Sequence, residues 1–199
     1  GQLSYRKVQG SSKKVYEANI TLFNALQKTD YDKKGKYLIE RYISAHAIMI
    51  AFEGIPAIYF NSIFGTSNDE HKYIISGNKR DLNRYKWNKK RLENLLKNKN
   101  AKQSIFYHKI MNLLSIKKQN KAFHPNAKRE NLNMGKKIFC FKRTSLDNSQ
   151  IIYNITNLSS KYLKLSFNNK FTTYKNLLGK TRSKSKIELK PFETLWLSN

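Results

Sequence analysis

YLIERYISAHAIMIAFEGIPAIYF, residues 37–60, is the stretch that decides the fold. Residues 37–52 are apolar on most faces and rich in good helix formers. The charges Glu40 and Arg41 sit near the start, and Gly54 stands just past the end, where helices commonly stop. A helix this apolar packs against other elements on most of its sides. Pro56 then opens AIYF, residues 57–60, a continuous apolar run of strand length. A run without alternation suits a strand buried on both faces, as in a parallel sheet. Helix, tight turn and buried strand in this order predict the αβ half of a repeating α/β unit.

Working outward, everything from Leu3 to about residue 120 reads as helices around that one buried strand. Residues 61–85 are polar and punctuated by Gly65 and Gly77. They predict a long loop beyond the C-terminal end of the strand, where α/β barrels build their sites. Residues 88–96 predict a short amphipathic helix. Residues 105–116 (IFYHKIMNLLSI) predict a stronger one, with Ile105, Phe106, Ile110, Leu113 and Leu114 facing in. From about residue 126 the period changes. In KIFCFK, residues 137–142, alternation places Ile138 and Cys140 opposite Phe139 and Phe141. Strand-like runs follow at 150–156, 161–167, 186–190 and 192–197, separated by Asn, Ser and Gly. Short strands with regular turns predict an antiparallel sandwich or barrel.

Composition excludes several function classes. The chain has 199 residues, 39% of them hydrophobic and 13% aromatic, enough to build a core rather than remain disordered. No apolar run has the length of a membrane span, and no signal peptide opens the chain. The single cysteine, Cys140, cannot close an internal disulfide, which fits a reducing, cytoplasmic setting. The four histidines (His46, His71, His108, His124) are scattered without metal-ligand spacing, so no metal site is expected. Lys and Arg number 39 against 13 Asp and Glu, a formal charge of +26 that would attract polyanions. The lysines are spread along the whole chain, as a solvated surface would spread them. His46 on a buried helix reads as a core histidine, Cys140 as a small buried hydrophobe, and Trp196 as an anchor of the β part. Trp87, close to Arg84, is open to a place in the cleft.

Longer strings are more particular than periods. GIPAIYFNSIFGTSND (54–69), SGNKRDLNR (76–84) and AFHP (122–125), preceded by KVYEAN (14–19) and FNAL (23–26), come in a specific order. The tail adds NLLG (176–179) and IELKPFETLWL (187–197). Together they resemble the C-terminal part of α-amylase superfamily enzymes of the sucrose-phosphorylase-like branch, over nearly the whole chain. The resemblance implies α/β plus all-β architecture: the C-terminal end of a (β/α)8 TIM barrel, residues 1–124, followed by an antiparallel β-sandwich domain, residues 125–199. It implies retaining α-glucosyl transfer, which needs a carboxylate nucleophile and a carboxyl acid flanking the glycosidic bond. By that comparison both lie upstream of Gly1, as does a third carboxylate in a His-Asp pair, and this sequence contains no His-Asp dipeptide. No catalytic residue is therefore expected here.

The resemblance assigns two loops to substrate. Arg84 would donate to the glucosyl hydroxyls, its planar fork suiting paired acceptors, with Asp81 orienting the arginines. Tyr16, Glu17 and Asn19 would border the acceptor side, where phosphate or the leaving sugar sits. Lys14 and Glu17 stand where acceptor contacts vary, which leaves the acceptor open. The partners implied are an α-glucoside and inorganic phosphate; no metal or organic cofactor is implied. Two rivals stand beside this reading. One is a basic nucleic-acid-binding module, which needs lysines interleaved with exposed aromatics; here the aromatics lie in apolar runs such as IFCF and IYF, which argues for burial. The other is a non-catalytic truncated remnant of the same family.

Overall fold

The computed structural model describes residues 1–8, 10–166, 173–179, 182–183 and 187–199. In chain order the elements are β1 (Gln2–Val8), β2 (Ser11–Asn19), α1 (Leu22–Ala25), α2 (Leu38–Ala51), α3 (Phe60–Ile63), α4 (Glu70–Ser76), a 3-10 turn at Lys79–Asn83, α5 (Lys89–Lys97) and α6 (Lys102–Gln119). A second 3-10 turn at Lys121–Phe123 leads to β3 (Lys128–Asn133), β4 (Ile138–Thr144), β5 (Ile151–Asn157), β6 (Leu163–Leu165), β7 (Thr173–Asn176), β8 (Arg182–Ser183), β9 (Ile187–Leu189) and β10 (Thr194–Ser198). Two compact units divide these elements: Gly1–Gly35 with Ile58–His108, and Lys36–Ala57 with Lys109–Asn199.

The second unit holds the β domain. Its main sheet has the order β3-β4-β5-β10-β7-β8, antiparallel throughout, and a small β6-β9 sheet accompanies it. Alternation works as the sequence implies. Ile138 and Cys140 of β4 join Tyr153, Ile155, Leu195 and Leu197 in a buried cluster with Ile187 and Leu189 of β9. That is the filling of a two-sheet sandwich. Phe139 and Phe141 point to the other face, with ring centroids 6.2 Å and 5.2 Å from Phe52 just past α2. On the same side Trp196 is fully buried, donates from Nε1 to Asn154 Oδ1 at 3.0 Å, and packs edge-on against Phe123 at 4.7 Å. α2 buries Tyr42, Ala47, Ile50 and Ala51 completely, as its all-round apolar sequence requires. His46 is a core residue, its Nδ1 placed 2.9 Å from the Tyr42 carbonyl, and burial lowers its pKa. Strand β3, rich in Lys, Arg and Asn, was not legible from its pattern. Residues 167 and 186 of the expected strand runs lie outside the described residues.

The first unit departs further from expectation. β1 (Gln2–Val8) and β2 (Ser11–Asn19) pair as an antiparallel ribbon where helix was expected, with Gly10 ahead of β2 at a left-handed φ of 75°. The run 57–60 is not a buried strand: no strand pairs with it among the described residues, and Tyr59 and Phe60 are 56% and 54% exposed. Parallel strands exist only by pairing with neighbours, and an apolar run alone supplies none. Tyr59 keeps an extended backbone, and Phe60 starts α3 instead. Residues 61–85 are likewise not one long loop but carry α3, α4 and a 3-10 turn. Asp69 caps α4 by accepting from Lys72 N at 3.0 Å, and Gly77 ends it. The two later helices match their expected positions, with Asn88 capping α5 and Phe106, Ile110 and Leu113 buried on α6; Ile105 and Leu114 are only partly covered. Gly65, at φ 57°, sits against the Phe106 ring, where a Cβ would collide.

Candidate substrate-binding site

The two loops assigned to substrate meet within the first unit. The link is the 3-10 turn Lys79–Asn83, whose Asn78 cap accepts from Arg80 N at 3.0 Å. Leu82 is fully buried and its carbonyl accepts from Asp69 N at 2.7 Å, which seats the turn beside α4. Lys79 Nζ donates to the Leu3 carbonyl of β1 at 2.8 Å and lies 5.9 Å from the centre of the Tyr5 ring. Next to it, Arg80 reaches Glu17 of β2, with NH2 and Oε1 3.5 Å apart. Lys79 thus ties the turn to β1, while Arg80 only approaches β2.

Asp81 directs its hydrogen bonds away from the arginines. Its Oδ1 accepts from Lys72 Nζ at 2.7 Å. The hydrogen bonds from Lys72 and Ser76 hold its carboxyl below the usual carboxylate range, helped by the charge of Arg84. Asp81 therefore clamps α4 to the turn, and of the two arginines it senses Arg84 by charge alone. Arg84 follows the turn, with an exposed side chain and its backbone N–H on the Asp81 carbonyl at 3.4 Å.

The ribbon residues divide by role. Tyr16 sits in the bulge between Ser4 and Tyr5 pairings and is 54% exposed, presenting a ring to solvent. Glu17 is half-buried; its Oε2 is buried without a hydrogen-bond partner. Asn19 is fully buried and donates to Ser4 Oγ at 2.8 Å and to the Gln2 carbonyl at 3.4 Å, so it ties the ribbon together. Its Oδ1 also lacks a partner. Trp87 packs with Tyr85 and Phe64 and donates to Thr66 Oγ1 at 3.1 Å.

Lys72 and Lys79 were missed from sequence. Lys79 lies inside the informative string, but only the fold of the ribbon shows that it reaches Leu3. Lys72 becomes a partner of Asp81 because α4 turns it back, a relationship no spacing rule announces. Among the described residues, no three His, Cys, Asp or Glu side chains gather as a metal site would need, and no helix is long and apolar enough to cross a membrane.

No family model matches the chain. It is 35% identical over 112 residues to a glucosylglycerate phosphorylase of Allomeiothermus silvanus, covering 56% of this chain and 20% of that protein. It is 24% identical over 206 residues to the glucosylglycerate phosphorylase of Escherichia coli, covering 98% of this chain and 34% of that protein. The chain thus spans about a third or less of the length of these relatives. Among solved structures, AmyP in complex with maltotriose superposes with a TM-score of 0.64 at 16% identity, over 82% of this chain and 35% of that one. The trehalulose synthase MutB in complex with sucrose gives 0.60 at 10% identity, over 80% and 38%. These likenesses establish the fold: helical elements followed by an antiparallel β domain, as at the C-terminal end of a (β/α)8 enzyme.

Proposed function

We propose that this chain, whose fold and sequence match the C-terminal part of α-amylase superfamily enzymes, serves a retaining α-glucoside phosphorylase acting on glucosylglycerate or a closely related anionic α-glucoside. The observation that carries the proposal is the junction of ribbon and 3-10 turn, which gathers Tyr16, Glu17, Asp81 and Arg84 in one unit. The relatives named glucosylglycerate phosphorylase support it, one of them over 98% of the chain and the other over 56%.

In this reading Arg84 donates to the hydroxyls of the transferred glucosyl ring, since a guanidinium stays charged and offers a planar fork. Asp81 keeps the turn in place through Lys72. Tyr16, Glu17 and Asn19 border the acceptor side, where the leaving glycerate and then phosphate are received, with Asn19 shaping the ribbon. Residues 1–124 belong to the barrel part and 125–199 to the β domain. The nucleophile and the acid that retaining transfer requires come from polypeptide beyond these 199 residues, and the enzyme works in the cytoplasm. The test is to incubate the complete enzyme with glucosylglycerate and phosphate. Release of α-glucose 1-phosphate with retained configuration supports the reading; hydrolysis to glucose, or no reaction, counts against it.

One observation favours a second reading. The distal ribbon carries Arg6, Lys7, Lys13 and Lys14, all exposed, beside Tyr5 and Tyr16, which are 51% and 54% exposed. Cations interleaved with exposed rings are what single-stranded nucleic acid binds. A gel shift that weakens steeply with salt and is lost when both tyrosines become alanine would favour it.

A further inference from the structure

We infer that Arg80 is the residue that reads the charge of the leaving group, exchanging its contact with Glu17 for the carboxylate of an anionic aglycone. The inference rests on the phosphorylase reading above and adds to it a specificity-determining residue that the transferred glucosyl unit does not need.

Three features single out Arg80. Its backbone is held: Asn78 caps it, Lys79 anchors the turn to Leu3 at 2.8 Å, and Leu82 is buried beneath it. Its side chain is not, being 52% exposed. Its one carboxylate contact among the described residues is loose, 3.5 Å to Glu17 Oε1, whereas charge-assisted contacts close at about 2.7–2.9 Å. A half-exposed pair at that distance contributes little and is exchanged at little cost.

The neighbouring charges point the same way. Asp81, the nearest acid in sequence, is already occupied by Lys72 at 2.7 Å and does not compete. The ribbon sets Arg6 directly opposite Lys14, two like charges facing each other across the ladder. Like charges directly opposite each other destabilise a ladder, and the added positive field makes the ribbon attractive to anions in general. Glu17 then acts as a placeholder: it keeps the Arg80 fork near the ribbon until a better-matched carboxylate arrives. A guanidinium can grip that carboxylate through two parallel hydrogen bonds, which Glu17 at 3.5 Å does not achieve.

The experiment compares the complete enzyme with its Arg80→Gln, Arg80→Lys and Glu17→Gln variants on glucosylglycerate and on the uncharged analogue glucosylglycerol. Binding of glycerate alone is measured by calorimetry. Arg80→Gln is expected to raise KM for glucosylglycerate by roughly 10- to 100-fold more than for glucosylglycerol, the cost of one hydrogen-bonded charge contact. Arg80→Lys is expected to recover part of that ratio, and Glu17→Gln to lower KM for the charged substrate. A merely structural arginine would shift both substrates together, and an unchanged ratio overturns the inference. If the wild-type enzyme turns over neither substrate, the phosphorylase reading fails, and glycerate binding decides this one separately. Binding that is lost in Arg80→Gln sustains the inference; binding indifferent to Arg80, or absent altogether, overturns it.

Discussion

The guanidinium of Arg143 donates to the carbonyl of Ala51, the last residue of α2, at 2.6 Å. A second nitrogen of the same side chain donates to the carbonyls of His124 and Ala127 at 2.7 and 3.1 Å. Arg143 is fully buried, and burial lowers its pKa. One cation therefore satisfies the buried C-terminal end of a helix and two carbonyls of the segment that enters the β domain, where the C-terminal end of a helix dipole favours positive charge.

Arg143→Met follows from this geometry as a severe substitution. It keeps apolar volume but leaves the Ala51, His124 and Ala127 carbonyls without their donor. At roughly 1–3 kcal/mol for each buried unsatisfied group, partly offset by removing a buried charge, a net loss of about 3 kcal/mol is expected. Chemical denaturation of the complete protein should show a lower midpoint with an unchanged slope. A shift no larger than that of an exposed-lysine control would refute the assignment.

Such a residue was invisible in the sequence, where Arg143 follows Lys142 near the end of a mostly apolar strand in a lysine-rich chain. The α2 helix and strands β4, β5 and β10 were legible because burial selects apolar residues: all round for α2, on alternate positions in KIFCFK, and along short β-branched and aromatic runs in β5 and β10, which are buried on both faces. The ribbon was not, because its pattern is inverted. Leu3, Tyr5 and Val15 are 45%, 51% and 53% exposed, while Asn19 is buried. Residues 57–60 failed for another reason, since an apolar run states a preference for burial but does not supply the strands that would provide it. At the candidate site the strings nominate Arg84 and Tyr16, whereas Lys72 and Lys79 gain their meaning only from tertiary contact.

Lys117 gives a pH test. Its Nζ donates to the Ile50 and Phe52 carbonyls at 2.8 and 3.1 Å. Burial, and then the charge of Arg143, pull its pKa down from 10.5 to about 8. Below pH 8 both folded and unfolded states carry the proton, so the penalty of burying the charge is fully present. Between pH 8 and 10.5 the unfolded chain binds more protons, and this group makes stability rise with pH. Lys117→Met should abolish that rise while losing both hydrogen bonds. Unfolding midpoints of both proteins across pH 7 to 10 would expose parallel curves if the account were wrong.

Cys140 should be inert in the folded protein. Desolvation pushes its thiol up to about 12, and the side chain lies in the sandwich core with Ile138 and Ile155. Only the thiolate attacks alkylating agents. Iodoacetamide at pH 8 is therefore expected to label Cys140 only in step with unfolding, so that labelling and denaturation curves coincide. Rapid stoichiometric labelling of native protein would contradict the burial.

In the proposed function Asp81 holds the turn and Arg84 binds, and variants separate the two roles. Arg84→Lys keeps the charge but loses the planar fork, so kcat/KM for phosphorolysis by the complete enzyme should fall roughly 10- to 100-fold, with little change in stability. Asp81→Asn removes the partner of Lys72 and loosens the turn that carries Arg84. Its carboxyl has a folded pKa below the unfolded one. Its stabilising contribution is therefore present above about pH 4 and is lost as pH falls through the folded value. The wild type should then lose stability on acidification more steeply than Asp81→Asn, whereas Arg84→Lys should follow the wild-type curve. Equal acid sensitivity in all three proteins would mean that the Lys72 contact does not hold the turn, and that Arg84 is placed by other means.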